Sequence, residues 1–406
     1  MISRFTWALR QLLRQMWLRA VLIGALGILA ALTGIFLEPL IPEAAGRLIG
    51  ADAVDTILTI LASSMLAVVT FSLSVAVQAF SAAASSATPR ATSLLQQDST
   101  TQNVLATFVG AFLFSLVGII ALSAGAYGGR GRVVLFIVTI AVVALVIVAL
   151  LRWIDHITRF GRMADTLQRV ERASTKALII RSKAPTLGGT PHPGAPPPAA
   201  LPIHADKVGY VQYVDIKALA ACAEENDLNL YLADLPGSFA HPGAPLLHVL
   251  GDDDGSHTNT LRSAFNIGDA RTFDQDPRFG LIVLSEIASR ALSPAVNDPG
   301  TAIDVLGRLV RILGHWQPQA SEPDFPRLHI PWLAHADLLQ DSFHPIARDG
   351  AALVEVQIRL QKSLAAVAAA NPADFAAPAA ALALEARSRA EAAMAHDADR
   401  RRLLAS

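Results

Sequence analysis

Cysteine and charge are both scarce in this 406-residue chain. Its single cysteine, Cys222, cannot form an intramolecular disulfide, which excludes a disulfide-rich secreted scaffold and a structural zinc site built on cysteines. Charged residues make up 17% of the sequence, against about a quarter in ordinary soluble proteins, while 52% is hydrophobic and the mean hydropathy is +0.42. The shortage of charge therefore indicates a membrane protein.

Charge is completely absent from four long apolar stretches. Each is close to the ~20 residues that an α-helix needs to cross a hydrocarbon core. The stretches are Ala20–Leu37, Thr56–Phe80, Asn103–Ala126 and Val133–Leu151. The sequence therefore predicts four transmembrane helices over residues 20–151, after a basic N-terminus over residues 1–19. Because no Asp, Glu, Lys, Arg or His lies within a stretch, a pump or a proton-coupled carrier is disfavoured, and a passive conduit or a simple anchor remains.

The arginines near these stretches are unevenly distributed. Ten lie before the first stretch, between the second and third, or after the fourth: Arg4, Arg10, Arg14, Arg19, Arg90, Arg152, Arg159, Arg162, Arg169 and Arg172. Only Arg47, Arg130 and Arg132 lie in the remaining loops. The positive-inside rule therefore predicts that the N-terminus and the C-terminus are both cytoplasmic.

The second stretch has one polar side. At about 100° per residue, Ser63, Ala67, Thr70, Ser74, Gln78, Ser81 and Ser85 fall within an arc of roughly 80°. One interpretation is a small-residue packing seam between helices. The other is a pore lined by Thr70, Ser74, Gln78 and Ser81, with Arg90 at its cytoplasmic mouth.

The chain changes in character after the fourth stretch. Residues 1–180 carry a net charge of +6, whereas residues 181–406 carry −7. Residues 152–181 are interpreted as a basic helical neck that contacts the anionic membrane surface. Residues 182–202, with seven prolines, are interpreted as an unfolded linker. A cytoplasmic α+β domain over 203–362 and a peripheral, Ala-rich helical tail over 363–406 complete the predicted fold. The acidic domain makes a nucleic-acid partner unexpected.

Alternating and helical patterns support the α+β assignment. Gly209–Asp215, Leu228–Ala233 and Leu246–Leu250 alternate like strands, and Lys217–Glu225 has a helical pattern. The run from Pro236 to Leu246 resembles hairpins of biotinyl-lipoyl domains, but it has no lysine at a hairpin tip. No cofactor is therefore predicted.

The densest pattern runs from Arg271 to Leu309. It predicts one helix that ends at Ser293-Pro294 and a second that begins at Asp298-Pro299, with Asp298 as N-cap. The polar loop between them serves either for capping alone or as a site for an anion, a small ligand or a partner protein. The candidate residues are Arg271, Asp276, Glu286, Arg290, Ser293, Asn297, Asp298 and Thr301. A membrane-tethered enzyme that uses Asp276, Glu286, Arg290 and Asp298 is a weaker alternative.

Neither a metal site nor a known catalytic motif is predicted. The spacing of His329, His335 and His344 fits no common metal clamp, and prolines interrupt them. The sequence has no nucleophile elbow, phosphate-binding loop or dinucleotide fingerprint.

Several of these motifs together resemble a known family. They are Phe71-Ser72 with Gln78, Pro89-Arg90, Ala264–Gly268 with Arg271-Thr272 and Gln275-Asp276, Phe279-Gly280, and the long run Ile287–Ala302. This set resembles a bacterial family of predicted membrane proteins, domain of unknown function 2254, over roughly residues 10–360. The resemblance implies a location in the bacterial inner membrane and supplies no activity.

Two functions follow as hypotheses. In the first, copies of the chain form a homo-oligomeric passive channel in the lipid bilayer, regulated by the cytoplasmic domain. In the second, the helices anchor a sensor or scaffold that binds a partner or an anion at the Ser293–Thr301 loop.

Overall fold

The computed structural model describes residues 16–36, 51–96, 98–192, 194–252, 255–319 and 322–405. Contacts divide the chain into two compact units, with the boundary between Thr166 and Leu167. The N-terminal unit is called the membrane unit below, and the C-terminal one the α+β unit.

The described part of the membrane unit is built from helices. They are α1 (Met16–Phe36), α2 (Ala51–Ser86), α3 (Pro89–Gln96), α4 (Ser99–Ser123) and α5 (Gly129–Ile157). Within the described ranges, α2, α4 and α5 are long and apolar enough to cross a membrane. Helix α1 is apolar over Leu18–Thr33, a segment shorter than the three candidate spans. A membrane span at the first stretch therefore stays a prediction.

Helix α4 lies at the centre of the membrane unit and packs against α1, α2 and α5. It crosses α1 very closely, because a Cβ added at Gly27 would lie 2.5 Å from the carbonyl oxygen of Gly110. Tyr127, which follows α4, also contacts α1: its Oη donates a hydrogen bond of 2.6 Å to the backbone carbonyl of Ala31. The glycines of the first and third stretches therefore act as packing residues.

Most of the outer surface of the membrane unit is apolar, apart from one side of α2. Large aliphatic side chains such as Leu26, Leu66, Ile120 and Ile140 are exposed there. Charged residues lie near the helix ends, for example Arg130 and Arg132 at the start of α5 and Arg152 near its end. This distribution is typical of a lipid-facing surface.

The α+β unit contains two sheets and a set of helices. Helices α6 (Met163–Lys183), α7 (Ile216–Glu225), α8 (Thr258–Ser263), α9 (Pro277–Ala291), α10 (Pro299–Leu313), α11 (His335–Asp349), α12 (Val354–Ala370), α13 (Pro372–Ala393) and α14 (Asp397–Leu404) are described. The strands are β1 (Gly189–Pro191), β2 (Leu201–His204), β3 (Gly209–Val214), β4 (Asn229–Leu232), β5 (Phe239–Ala240), β6 (Pro245–Leu250), β7 (Phe265–Gly268) and β8 (Phe325–Ile330).

The five-stranded sheet has the order β1-β8-β4-β6-β2, and the smaller sheet has the order β5-β3-β7. Strand β8 is parallel to both β1 and β4, whereas β6 is antiparallel to β4 and β2. One apolar core joins the sheets to α7, with Leu219, Leu230 and Leu328 fully buried.

The helices pack in pairs beside the sheets. Helix α9 contacts α10 and α11, α10 contacts α12, and α13 contacts α11 and α12. Helix α6 also belongs to this unit, because a Cβ at Gly280 of α9 would overlap Ser174 of α6. The two helices predicted on either side of the Ser293–Thr301 loop are present, since α9 ends at Ala291 and α10 begins after the N-cap Asp298.

Three predictions about segments are wrong. Residues 182–202 are not an unfolded linker, because β1 and the start of β2 lie within them and pair with β8 and β6. The segment predicted as a helical neck is helical in two parts, because α5 ends at Ile157 and Gly161 adopts a positive φ of 77° before α6 begins. The run 236–246 is not a hairpin, because β5 and β6 belong to different sheets. The tail is helical but not peripheral, because Phe375, Leu382 and Ala386 are buried.

Candidate functional site

The polar side of α2 faces away from the rest of the chain. Ser63, Thr70, Ser74, Gln78 and Ser81 are all exposed. The opposite side of the helix is buried, including the residues Leu58, Leu61, Met65, Ser72, Ala76 and Ala83. Helix α2 therefore packs into its own bundle through a different face, and the polar stripe is not a packing seam within the single chain.

Two of the hydroxyls on this stripe donate hydrogen bonds within α2 itself. Ser63 Oγ donates to the carbonyl of Thr59 (2.9 Å), and Thr70 Oγ1 donates to that of Leu66 (2.8 Å). Gln78 makes one long hydrogen bond, from Nε2 to Ser74 Oγ (3.3 Å). A primary amide offers two N–H donors and a carbonyl acceptor, so this bond leaves most of the Gln78 amide open.

Arg90, the candidate for the pore mouth, lies at the second position of α3 and is exposed. It lies four residues after Ser86, the last residue of α2. Arg90 therefore lies beyond the C-terminal end of the polar stripe, and its role at a pore mouth stays a prediction.

Sequence reasoning missed a buried polar cluster between α4 and α5. Asp98 caps α4 by accepting hydrogen bonds from the backbone N–H and the hydroxyl of Thr101, each at 2.7 Å. His156 Nε2 lies 2.9 Å from the same carboxylate. The N-cap pattern Asp98-Ser99 was readable in the sequence, but the pairing with His156 depends on helix packing. The cluster ties the start of α4 to the end of α5.

The Ser293–Thr301 loop is exposed and held by its own hydrogen bonds. Ser293 Oγ donates to the carbonyl of Arg290 (2.7 Å), and the N–H of Asp298 donates to that of Ala291 (2.8 Å). Asn297 occupies the left-handed region with a φ of 50°, which asparagine tolerates better than most residues. This geometry lets the chain reverse direction between α9 and α10.

The Asp298 carboxylate occupies the N-terminus of α10. It accepts bonds from the Thr301 backbone N–H (3.1 Å) and hydroxyl (2.6 Å). The hydrogen bond from the Thr301 side chain, with further backbone N–H donors, lowers the pKa of Asp298 below its ordinary value. An ionised carboxylate at this end repels a second anion, so the geometry supports capping over anion binding.

Arg271 and Asp276 form an ion pair, and its role is structural. Arg271 Nε donates to Asp276 Oδ2 (2.7 Å), and Asp276 also caps α9 through the N–H groups of Arg278 and Phe279 (3.1 Å each). Burial raises the pKa of the Asp276 carboxyl, against the opposing effect of Arg271. Burial disfavours the charged form of Arg181 as well, and it lowers the pKa of this side chain to about 10. The negative charge of Asp276 opposes the shift.

The candidate residues do not form a single site. Asp276 lies at the start of α9 and the Ser293–Thr301 loop at its end, and a 15-residue helix separates them by about 22 Å. Glu286 is half-buried and Arg290 is exposed along the same helix. Asp276 and Asp298 therefore cannot act on one substrate atom, which removes the geometric basis of the enzyme alternative.

The three histidines considered from sequence lie apart. His335 Nδ1 is 3.5 Å from Asp374, and His344 Nε2 is 3.2 Å from Glu385. His329 instead stacks on Tyr231 at 4.3 Å between ring centroids. Across the described ranges, no group of three or more His, Cys, Asp or Glu side chains could hold a metal ion.

The stack on Tyr231 belongs to a second histidine set, which sequence reasoning also missed. His329, Tyr231 and His248 are neighbours across β8, β4 and β6, and His192 packs edge-on against Tyr231. Burial lowers the pKa of both His329 and His248. A smaller repulsion, from His192 on His329 and from His204 on His248, lowers each pKa further. Only the strand register brings these residues together, so no local signal could have shown it.

Comparison with known proteins places the chain in a family. The family described as "Predicted membrane protein (DUF2254)" matches residues 14–366. Uncharacterised proteins of Mycobacterium tuberculosis (strain H37Rv) and Mycobacterium bovis are each 28% identical over 341 residues, which cover 77% of this chain and 63% of the relative. The chain thus spans about three fifths of the length of these relatives, and no solved structure matches it. The chain therefore belongs to the DUF2254 family of predicted membrane proteins.

Proposed function

We propose that this protein is the subunit of a homo-oligomeric passive channel in the bacterial inner membrane, with a cytoplasmic α+β unit that regulates it. One observation carries the proposal: the polar stripe of α2, which includes Gln78, is exposed over its whole length while the other side of α2 is buried. The stripe is thus available to other molecules.

A side-chain amide in hydrocarbon is costly unless it finds a hydrogen-bonding partner. The α2 helix of a second copy, or water, would supply partners for Gln78. Several copies arranged around one axis would turn their stripes inward and enclose a path lined by Thr70, Ser74, Gln78 and Ser81. Arg90 would then lie at the cytoplasmic mouth.

The distribution of charge supports a passive mechanism. The apolar parts of α2, α4 and α5 contain no ionisable side chain, and the charges of α5 lie near its two ends. Proton relays and most ion-coupled carriers need ionisable groups at depth. A conduit lined by hydroxyls and amides needs none.

The arginine distribution supports the proposed orientation, because the positive-inside rule favours a cytoplasmic location for both termini. The bacterial origin of the relatives supports the proposed location in a bacterial inner membrane. In this arrangement the α+β unit is cytoplasmic, where it can respond to soluble signals.

Planar-bilayer conductance tests the proposal. We expect the purified protein to conduct, and Gln78→Leu to change its conductance several-fold, because the amide lines the path. Val77→Leu is the matched control, since Val77 is 56% exposed on the neighbouring face of α2; it should conduct as wild type. Silence of the wild-type protein under varied voltage and lipid, or a monomeric state in both mild detergent and lipid, would falsify the channel.

A membrane-anchored sensor or scaffold is the second candidate, favoured by the Ser293–Thr301 loop. Val296 at its tip is 50% exposed and offers an apolar contact to a partner. Because Asp298 disfavours anions, the partner would be a protein. A photo-reactive residue at Val296 should then cross-link a partner in cells, whereas one at the exposed Leu384 should not. Equal labelling from both positions would remove this candidate.

A further inference from the structure

An open groove of about 840 Å³ lies between α6 and α10 in the α+β unit. Its lining comes from one face of α6, between Gln168 and Ile180, and from Arg308 and Arg311 of α10. Its size falls within the range of ligand-binding pockets. Its α6 side lies within the basic segment 152–181, for which the sequence predicts contact with the membrane surface, whereas the two arginines of α10 belong to no motif recognised in the sequence.

The charge of the groove is strongly positive. Four cations line it, Arg172, Lys176, Arg308 and Arg311, against the single carboxylate of Glu171. Glu171 bonds Arg308 (2.6 Å) and Arg311 (2.7 Å) at the same time. Burial alone would raise the pKa of Glu171, but the hydrogen bonds and charges of the two arginines outweigh it and lower the pKa. Glu171 thus stays ionised and fixes both guanidinium groups.

Three of these four cations are accessible to a ligand. Arg172 and Lys176 are exposed on α6, and neither forms an ion pair with a carboxylate in the described ranges. Arg311 keeps 57% of its side chain exposed despite its bond to Glu171. The groove therefore offers three cationic groups to an incoming anion.

An apolar strip lies beside these cations. Ile179 and Ile180 line the groove one turn beyond Lys176, and Ile180 is 51% exposed. An exposed isoleucine within a cationic groove suits a ligand that is anionic at one end and aliphatic at the other. A free phosphate ion would leave this strip uncovered.

We propose that this groove binds a membrane phospholipid with an anionic headgroup. Arg172, Lys176 and Arg311 hold the phosphate, and an acyl chain lies along Ile179 and Ile180. The bilayer is the source, because α6 begins six residues after the end of α5, a candidate membrane span. Basic clusters that directly follow a spanning helix are typical of contacts with anionic lipids.

Site-specific fluorescence quenching in the full-length protein tests this proposal. A bimane label is attached at Ile180→Cys in a Cys222→Ala background, which is feasible because Cys222 is the only cysteine of the chain. The protein is reconstituted in phosphatidylcholine vesicles that contain either brominated phosphatidylglycerol or brominated phosphatidylcholine. We expect strong quenching by the former and weak quenching by the latter. Thr175→Cys provides a second label position in the groove, should the first perturb the fold.

The matched charge variants identify the groove as the binding site. Arg172→Gln with Lys176→Gln should weaken the apparent affinity for phosphatidylglycerol about thirty-fold, converted from ~1 kcal/mol for each cation near an anionic surface. Arg401→Gln with Arg402→Gln changes the charge equally on the exposed face of α14 and should have no effect.

Four results would overturn the proposal. They are equal quenching by both brominated lipids, equal quenching of a label at the exposed Leu384→Cys, an equal loss in both charge variants, and displacement of the lipid by excess glycerol phosphate. The last would identify a site for soluble phosphate compounds. None of these readouts depends on conductance, so the lipid site and the channel are tested separately.

Discussion

Asn297 and Asp298 perform different tasks in the same loop, and the two tasks can be separated by mutation. Asp298→Ala removes two hydrogen bonds at the N-terminus of α10 and should lower the stability of the α+β unit by about 1 kcal/mol. Asn297→Gly should be close to neutral because glycine accepts the positive φ, whereas Asn297→Val should cost 1 to 2 kcal/mol, roughly. Thermal unfolding of the full chain in detergent measures both. A stable Asp298→Ala variant would contradict the capping role.

Asp234 gives the α+β unit a dependence on pH. Burial raises its pKa to about 6, although the charge of His241 and a hydrogen bond from Ser238 act in the opposite direction. The folded state therefore binds this proton more tightly than the unfolded state does. Its stabilising contribution is complete below about pH 4 and is lost as the pH rises through about 6.

Asp234→Asn should abolish this dependence, because an amide cannot ionise. We expect the variant to be more stable than wild type by about 1 kcal/mol near pH 8, after allowance for the partly exposed carboxyl, and equal to it near pH 4. Melting curves at both pH values, with Asp252→Asn as an exposed control, provide the measurement. A stability difference that stays constant between the two pH values would exclude Asp234 as the source.

At the scale of elements, the crossing of α1 and α4 depends on glycine. A Cβ at Gly110 would lie 2.8 Å from the side chain and 3.0 Å from the carbonyl oxygen of Ile23, so the helices cannot approach as observed. Gly110→Val should therefore destabilise the membrane unit by about 3 kcal/mol or more. Leu26→Val, at a 63% exposed position of α1, should be tolerated. Equal melting temperatures for the two variants in detergent would show that the crossing is not needed.

How far the sequence predicts each element depends on whether its determinants are local. The caps Asp298-Pro299 and the charge-free stretches are local, so α10, α2, α4 and α5 could be predicted closely. Strand β1 could not, because three residues in a proline-rich segment become a strand only through pairing with β8. The exposure of the α2 stripe also could not be predicted, since it depends on which face packs against α4.

For the whole molecule, the division into two units sets the limits of any fragment that folds alone. Helix α6 contributes buried Val170, Ser174 and Leu178 to the α+β unit, and Ser182 Oγ accepts a 2.8 Å bond from the N–H of Gln317. A fragment of residues 163–406 should therefore be folded and melt cooperatively, whereas residues 203–406 should aggregate. Circular dichroism and thermal unfolding compare them. Cooperative melting of the shorter fragment would contradict the role of α6.

The pairing of β1 with β8 also constrains the order of events during synthesis. Thr190 Oγ1 donates to the carbonyl of Pro326, 136 residues further along the chain. At about 5 to 20 residues per second, a ribosome needs roughly 7 to 27 seconds to produce the partner strand. During that interval β1 has no strand to pair with, because β8 separates it from β4, β6 and β2 in the sheet. The α+β unit therefore completes its larger sheet only late in translation, and this is the period in which the nascent chain most needs protection from aggregation.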